Sequence, residues 1–150
     1  MKEYTKEKLN EIVRLNKLYH DTDGKEGEKA DLRDANLEDA VLEDADLEGA
    51  DLMGADLIRA YLWRADLRRT NLTRADLTHA NLTRAILWRA NLTRAILWRA
   101  DLSCTNLMGA NLIGANLEDA DLSGADLTNI KYNDETIWPE GFDITKWRKE

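Results

Sequence analysis

The chain of 150 residues is 43% hydrophobic, holds one proline and eight glycines, and carries a formal net charge of −8. That length suits one domain, and the composition excludes collagen-like and linker-type sequences. The acidic balance disfavours nonspecific attraction to nucleic acid or anionic lipid, and no apolar run approaches the ~18 residues of a membrane span.

The first twenty residues, MKEYTKEKLNEIVRLNKLYH, are charged every two or three positions and lack the apolar core of a signal peptide. A single cysteine, Cys104, cannot form an internal disulfide, so the expectation is a cytoplasmic protein. Leu9, Ile12, Val13, Leu15, Leu18 and Tyr19 fall at helical spacing, with Thr5 to begin the helix and Asp21 to Gly24 to end it. The spacing predicts a helix over residues 6 to 20, docked on the segment that follows. The acidic turn DTDGKEGE has the residues of a calcium loop but not their order: Gly24 stands fourth from Asp21, where an EF-hand needs its glycine sixth. It reads as a solvated connector, and residues 1–29 as a helical cap.

Leucine then occupies position 32 and every fifth position to 127, twenty times without a break. On an α-helix a five-residue step lands about 140° past a full turn, which smears the leucines round every face. On a straight strand an odd step throws successive leucines to opposite faces. Only a chain that bends within each five residues points them all at one axis. Alanine stands two residues before each leucine in eighteen of twenty units, Thr70 and Thr105 excepted, which marks a second and smaller inward site. Between them Asp or Asn occurs in sixteen of twenty, with Val41, Tyr61, Ile86 and Ile96 as the departures. Such residues favour bends because their side chains bond nearby backbone. The other two positions vary, as an exposed corner should.

The stretches ADLEGADLMGADLIRA and ANLTRADLTHANLTRA resemble the A-(D/N)-L-x-x motif of the pentapeptide repeat family of bacterial type, over residues 30–129. The resemblance implies an all-β solenoid: a right-handed quadrilateral β-helix of about five coils with four pentapeptides per coil, Leu and Ala inward and three positions outward. The leader is similar to those preceding repeats in some bacterial and phage members. After residue 129 the tail KYNDETIWPEGFDITKW breaks the period and brings together Trp138, Phe142, Ile144 and Trp147. It resembles the WPEGFD tails of cyanobacterial members and predicts a short cap over residues 130–150. An end left uncovered would let two rods stack end to end.

Candidate chemistry is sparse. His20 and His79 have no second His or Cys at ligand spacing, and no glycine-rich phosphate loop precedes a helix. A rod filled with leucine leaves no cleft for a substrate, so the expectation is a protein with no catalytic residue, cofactor or metal. The surface is more informative. Residues 30–54 carry nine acids and one base, residues 55–105 nine arginines and four aspartates, and residues 106–129 four acids and no base. With residues twenty apart stacked, Arg59, His79 and Arg99 form one column, Arg64 and Arg84 a second, Arg69 and Arg89 a third, and Arg74 and Arg94 a fourth. That is a belt round the rod, held by Asp56, Asp66, Asp76 and Asp101, with Trp63, Trp88 and Trp98 on three different sides.

Contacts are expected where apolar residues replace the outward Asp or Asn and where the belt is exposed. The candidate surface comprises Val41, Ile58, Tyr61, Trp63, Arg64, Arg84, Ile86, Trp88, Arg89, Ile96, Trp98 and Arg99. The first reading is a non-enzymatic structural or protein-interaction module, binding an unnamed protein or a second copy of itself, with no membrane. A second, implied by the resemblance because quinolone-resistance members act on DNA gyrase, is mimicry of duplex DNA. It asks for an anionic rod, which the basic middle contradicts in part. A third is polyanion binding by the arginine belt, discounted for nucleic acid by the acidic bands on either side.

Overall fold

The computed structural model describes residues 1–147. A two-residue strand, β1 (Lys2–Glu3), leads into helix α1 (Lys6–Asp21), and the chain then winds into a four-sided coil. In that coil the outward Asp or Asn position of each repeat forms a parallel bridge with the residue twenty further on. One side runs Asp31, Asp51, Asn71, Asn91, Asn111, Lys131, and the next Asn36, Asp56, Asp76, Ile96, Asn116, Ile137. The third runs from Val41 and Tyr61 to Asp121, and the fourth from Asp46 to Asp126. Pairing thus continues past residue 129, and the second side absorbs one inserted residue before Ile137.

Repeats of the inner coils that carry Asp or Asn place their five backbone N–H groups in the same way, illustrated by residues 55–59. Asp56, Leu57 and Arg59 donate to carbonyls of neighbouring coils, on Ala35 (2.9 Å), Asp76 (2.7 Å) and Thr78 (2.9 Å). Ala55 donates to Leu52 at 3.1 Å and closes the preceding turn. The fifth N–H, that of Ile58, has no backbone acceptor and takes the Oδ1 of Asp56 at 3.0 Å. All sixteen repeats with Asp or Asn show this bond; Asn36 to Glu38 (3.2 Å) and Asp121 to Ser123 (2.8 Å) are two further cases. The preference for Asp or Asn is therefore a hydrogen-bond requirement, because a buried or crowded donor without an acceptor is costly. Within each turn only the second corner residue has positive φ, for example +55° at Arg59, which defines a type II turn.

Leucines and alanines fill the bore as expected, with every leucine from Leu32 to Leu127 buried. Thr70 and Thr105 occupy alanine sites at no cost in unpaired hydroxyls: their Oγ1 atoms donate to Leu47 O and Leu82 O, both at 2.9 Å. Thr136 repeats the arrangement on Leu112 O at 2.9 Å.

Helix α1 begins where the sequence places it, with Thr5 Oγ1 accepting from Lys8 N at 3.2 Å. Leu9 joins the core, and Ile12 and Val13 pack against it. Two features of this end go beyond the sequence reading. Asn16, at 0% exposure, clamps the helix to the coil: its amide donates to Asp46 O (3.2 Å) and Glu48 O (3.1 Å), and its Oδ1 accepts Ala30 N (2.9 Å). Strand β1 pairs in parallel with β2 (Ala35–Asn36), so the N-terminal residues cover part of the first coil's backbone edge. At the other end Trp138 and Phe142 stack at 5.4 Å, and with Ile130 and Trp147 pack against the last leucines. Ile144 opens a short 3-10 helix, Ile144–Trp147; residues 148–150 of the expected tail lie outside the described residues.

Replacing Asn16 by Ala strips three bonds from one buried site and is expected to destabilise the fold by about 1–3 kcal/mol, read by denaturant unfolding. The corner carboxylates give a pH prediction. The Arg33 guanidinium and N–H hold Asp31 well below the usual carboxylate range, the Arg59 guanidinium lowers Asp39, and the Thr128 hydroxyl and N–H lower Asp126. Depressed folded-state values stabilise above the unfolded carboxylate pKa of about 4 and lose that contribution as pH falls through the folded values. Thermal melts are expected to be flat in this respect from neutrality down to about pH 4 and to fall below it.

Candidate interaction surface

The second corner residue of each turn sits in the left-handed region, where glycine or asparagine is at ease. Arginine occupies it eight times, at 59, 64, 69, 74, 84, 89, 94 and 99, with φ between +54° and +59°. Each such residue costs roughly 1–2 kcal/mol relative to a right-handed conformation. Backbone preference alone does not explain the belt.

The columns predicted from a twenty-residue period are present, but the partners differ from those expected. Arg59 donates to Asp39 (2.8 Å) and Glu38 (2.7 Å), Arg64 pairs with Asp44 (2.9 Å), and Arg99 with Asp119 (3.2 Å). Arg68 and Arg69 share Glu48 at 2.8 and 3.5 Å. These acids come from the coils bordering the belt. Of the four aspartates within it, only Asp66 holds an arginine among the described residues, Arg68 at 2.6 Å. All four spend an oxygen on a corner N–H, those of Ile58, Arg68, Thr78 and Ser103. Among the described residues Arg74, Arg84, Arg89 and Arg94 have no carboxylate within 4.0 Å.

The tryptophans are half-buried and engaged. Arg64 lies over Trp63 at 4.8 Å and Arg99 over Trp98 at 4.4 Å, while Trp88 takes both Arg89 (4.4 Å) and Arg69 (5.1 Å). His79 meets the edge of Trp98 at 5.2 Å. Each tryptophan stands two residues after Tyr61, Ile86 or Ile96, at the corner whose N–H has lost its Asp or Asn acceptor.

The four apolar replacements are exposed, Val41 by 59% and Tyr61 by 47%. The structure brings only these two together, bridged on the third side, with Ile58 and Trp63 at the flanking corners. Ile86 and Ile96 lie apart on the fourth and second sides. Beside Val41 helix α1 adds what the repeats alone could not show. One cleft of about 260 Å3 lies between Val41 and Tyr4, Leu9 and Asn10, and a second, of about 330 Å3, between Val41 and Val13 and Arg14. A helical wheel signals which residues of α1 are apolar, but not that Val13 and Asn10 border an outward valine.

Among the described residues no three or more His, Cys, Asp or Glu side chains are grouped to hold a metal ion, and no helix is long and apolar enough to cross a membrane. Cys104 is exposed at its corner.

Comparison with known proteins places this geometry. A model of pentapeptide repeats matches in eight copies over residues 28–57, 50–89 and 90–129. Among solved structures, a pentapeptide repeat protein from the cyanobacterium Cyanothece 51142 is 36% identical over 63% of this chain, with a TM-score of 0.62; the chain covers 64% of that protein, less than two thirds of it. One from Nostoc PCC 7120 is 34% identical over 90% of both chains, with a TM-score of 0.55. A third, from the thylakoid lumen of Arabidopsis thaliana, is 36% identical over 59% of this chain and 66% of its own, with a TM-score of 0.50. No curated protein matches. These neighbours make the four-sided coil a right-handed quadrilateral β-helix. With its twenty-residue ladder, its leucine bore and its family match across most of its length, the chain belongs to the pentapeptide repeat family.

Proposed function

We propose that the protein is a non-enzymatic interaction module: a rod of repeats over residues 30–129, closed by the leader at one end and the tail at the other, that binds a protein partner through its outer columns. One observation carries the reading. At Val41, Tyr61, Ile86 and Ile96 an exposed apolar side chain stands where the fold offers a hydrogen bond to Asp or Asn. Stability favours the polar residue, so the apolar one answers to something outside the rod. Val41 lines both α1 clefts and is bridged to Tyr61, so here two such side chains adjoin. The leucine bore leaves no room for a substrate, which supports a binding role over catalysis. Duplex mimicry asks for a continuous anionic surface, and four arginines without carboxylate partners in mid-rod work against it.

The experiment pairs stability with binding. A Val41→Asn/Tyr61→Asn double variant restores two corner acceptors, at about 0.5–1.5 kcal/mol each, so its Tm is expected to hold or rise. Affinity capture with the tagged full chain is expected to retain a partner, or a second copy in sedimentation, that this variant loses. Retention unaltered by the variant, or a monomer that captures nothing, sinks the reading.

A further inference from the structure

The belt is even in sequence and uneven in compensation. Read along the rod, the corner between the second and third sides runs Asp39, Arg59, His79, Arg99, Asp119, with a carboxylate closing each end. The two corners bordering the first side run differently: Gly49, Arg69, Arg89, Gly109 on one edge and Gly54, Arg74, Arg94, Gly114 on the other. Glycine stands where the neighbouring corner keeps its acids. A Cβ at Gly109 would meet Arg89 Cγ at 3.3 Å, and one at Gly114 would meet Arg94 Cγ at 3.2 Å, so these glycines make room for the arginine stems.

The floor between the two edges is also distinct. Between residues 55 and 105 the second, third and fourth sides each present at least one aspartate, namely Asp56 and Asp76, Asp101, and Asp66, whereas the first side presents Asn71 and Asn91. The result is a neutral amide floor framed by four exposed arginines. Coils are about 4.8 Å apart, and a side of three extended residues is about 10 Å wide. Arg69 has one distant partner, Glu48 at 3.5 Å, and Arg74, Arg89 and Arg94 have none among the described residues. Four like charges are thus held close together on a rigid frame, at backbone positions that disfavour them.

We infer that this window on the first side docks a short acidic segment of a protein, its carboxylates taken bidentately by Arg69, Arg74, Arg89 and Arg94. Guanidinium forks suit carboxylates and phosphates alike, and the surroundings select between them. Below the window Asp31 and Asp51 stand on the same side and Asp34 at its corner, with Arg33 paired to Asp31, and above it Lys131 continues the side while Glu135 Oε2 would lie 3.3 Å from a Cβ at Gly114. A long phosphodiester chain runs from the window onto these acids, whereas a cluster of a few carboxylates ends within it. Single-stranded nucleic acid also needs aromatic faces for its bases, and the Trp88 ring already lies against Arg69 and Arg89. This surface is separate from the Val41–Tyr61 column, so either can fail without the other.

The test is fluorescence anisotropy with labelled hexaglutamate, and with a labelled single-stranded and a duplex oligonucleotide, on the full chain at low salt. The decisive variant is Arg74→Gly/Arg94→Gly, which removes two window charges and relieves two left-handed corners, so it keeps or raises the Tm and cannot lose binding by unfolding. Hexaglutamate affinity is expected to fall by about tenfold or more, with Arg59→Gly/Arg99→Gly, on the compensated corner, leaving it unchanged. The inference is overturned if wild type does not bind hexaglutamate, if the window variant binds as well as wild type, if the two double variants lose affinity equally, or if either oligonucleotide binds more tightly than the peptide.

Discussion

Five backbone N–H groups per repeat need acceptors, and the square coil supplies only four from its own backbone. The fifth, at the first corner position, is met by the Asp or Asn side chain two residues earlier. Sixteen of the twenty repeats keep that bond, and it fixes the exposed corner beside the inward leucine. A repeat that lacks the acceptor has to settle the corner differently, and at three of the four such corners stand Trp63, Trp88 and Trp98, each covered by an arginine, with Glu43 at the fourth. The aromatic and basic decoration of the middle coils is therefore tied to the backbone as well as to the surface.

The same corner sets the charge pattern. Because its second residue is left-handed and points outward, whatever stands there is displayed in a column at the step of the coil. Asp at the ends and Arg in the middle turn a neutral geometric feature into stripes of alternating sign. Where stripes meet, ion pairs form between coils, as with Arg59 and Asp39 or Arg99 and Asp119. Half-exposed pairs of this kind contribute little to stability each, so their main effect is to decide which arginines remain available.

Much of this was legible in the sequence. The five-residue leucine step is incompatible with a helix or a straight strand, and twenty repetitions leave one solution. Column membership follows from the same arithmetic, which lines the arginines up at twenty-residue steps and sets the three tryptophans on different sides. What escaped were contacts between segments with no common period. Asn16 reads as a polar gap in an apolar helix face, and only the carbonyls of Asp46 and Glu48 show why it is buried. Lys2 and Glu3 look like a solvated terminus, because pairing through backbone leaves no trace in side-chain type. The arginine partners were misjudged for another reason: an arginine at the second corner position meets the acid at the same corner of the adjoining coil, as Arg59 meets Asp39 and Arg99 meets Asp119, rather than an aspartate on a side.

Strand β1 has a bearing on the length of the rod. A parallel ladder is a template, and any extended segment reaching its open edge is added at the same step, as in fibril elongation. Here the chain's own Lys2 and Glu3 occupy that edge along Ala35 and Asn36 and show charged, exposed side chains to the solvent beyond. On that side β1 is covalently tethered and therefore always at hand, and an incoming segment has to compete with it for Ala35 and Asn36 and to pack beside two charged side chains.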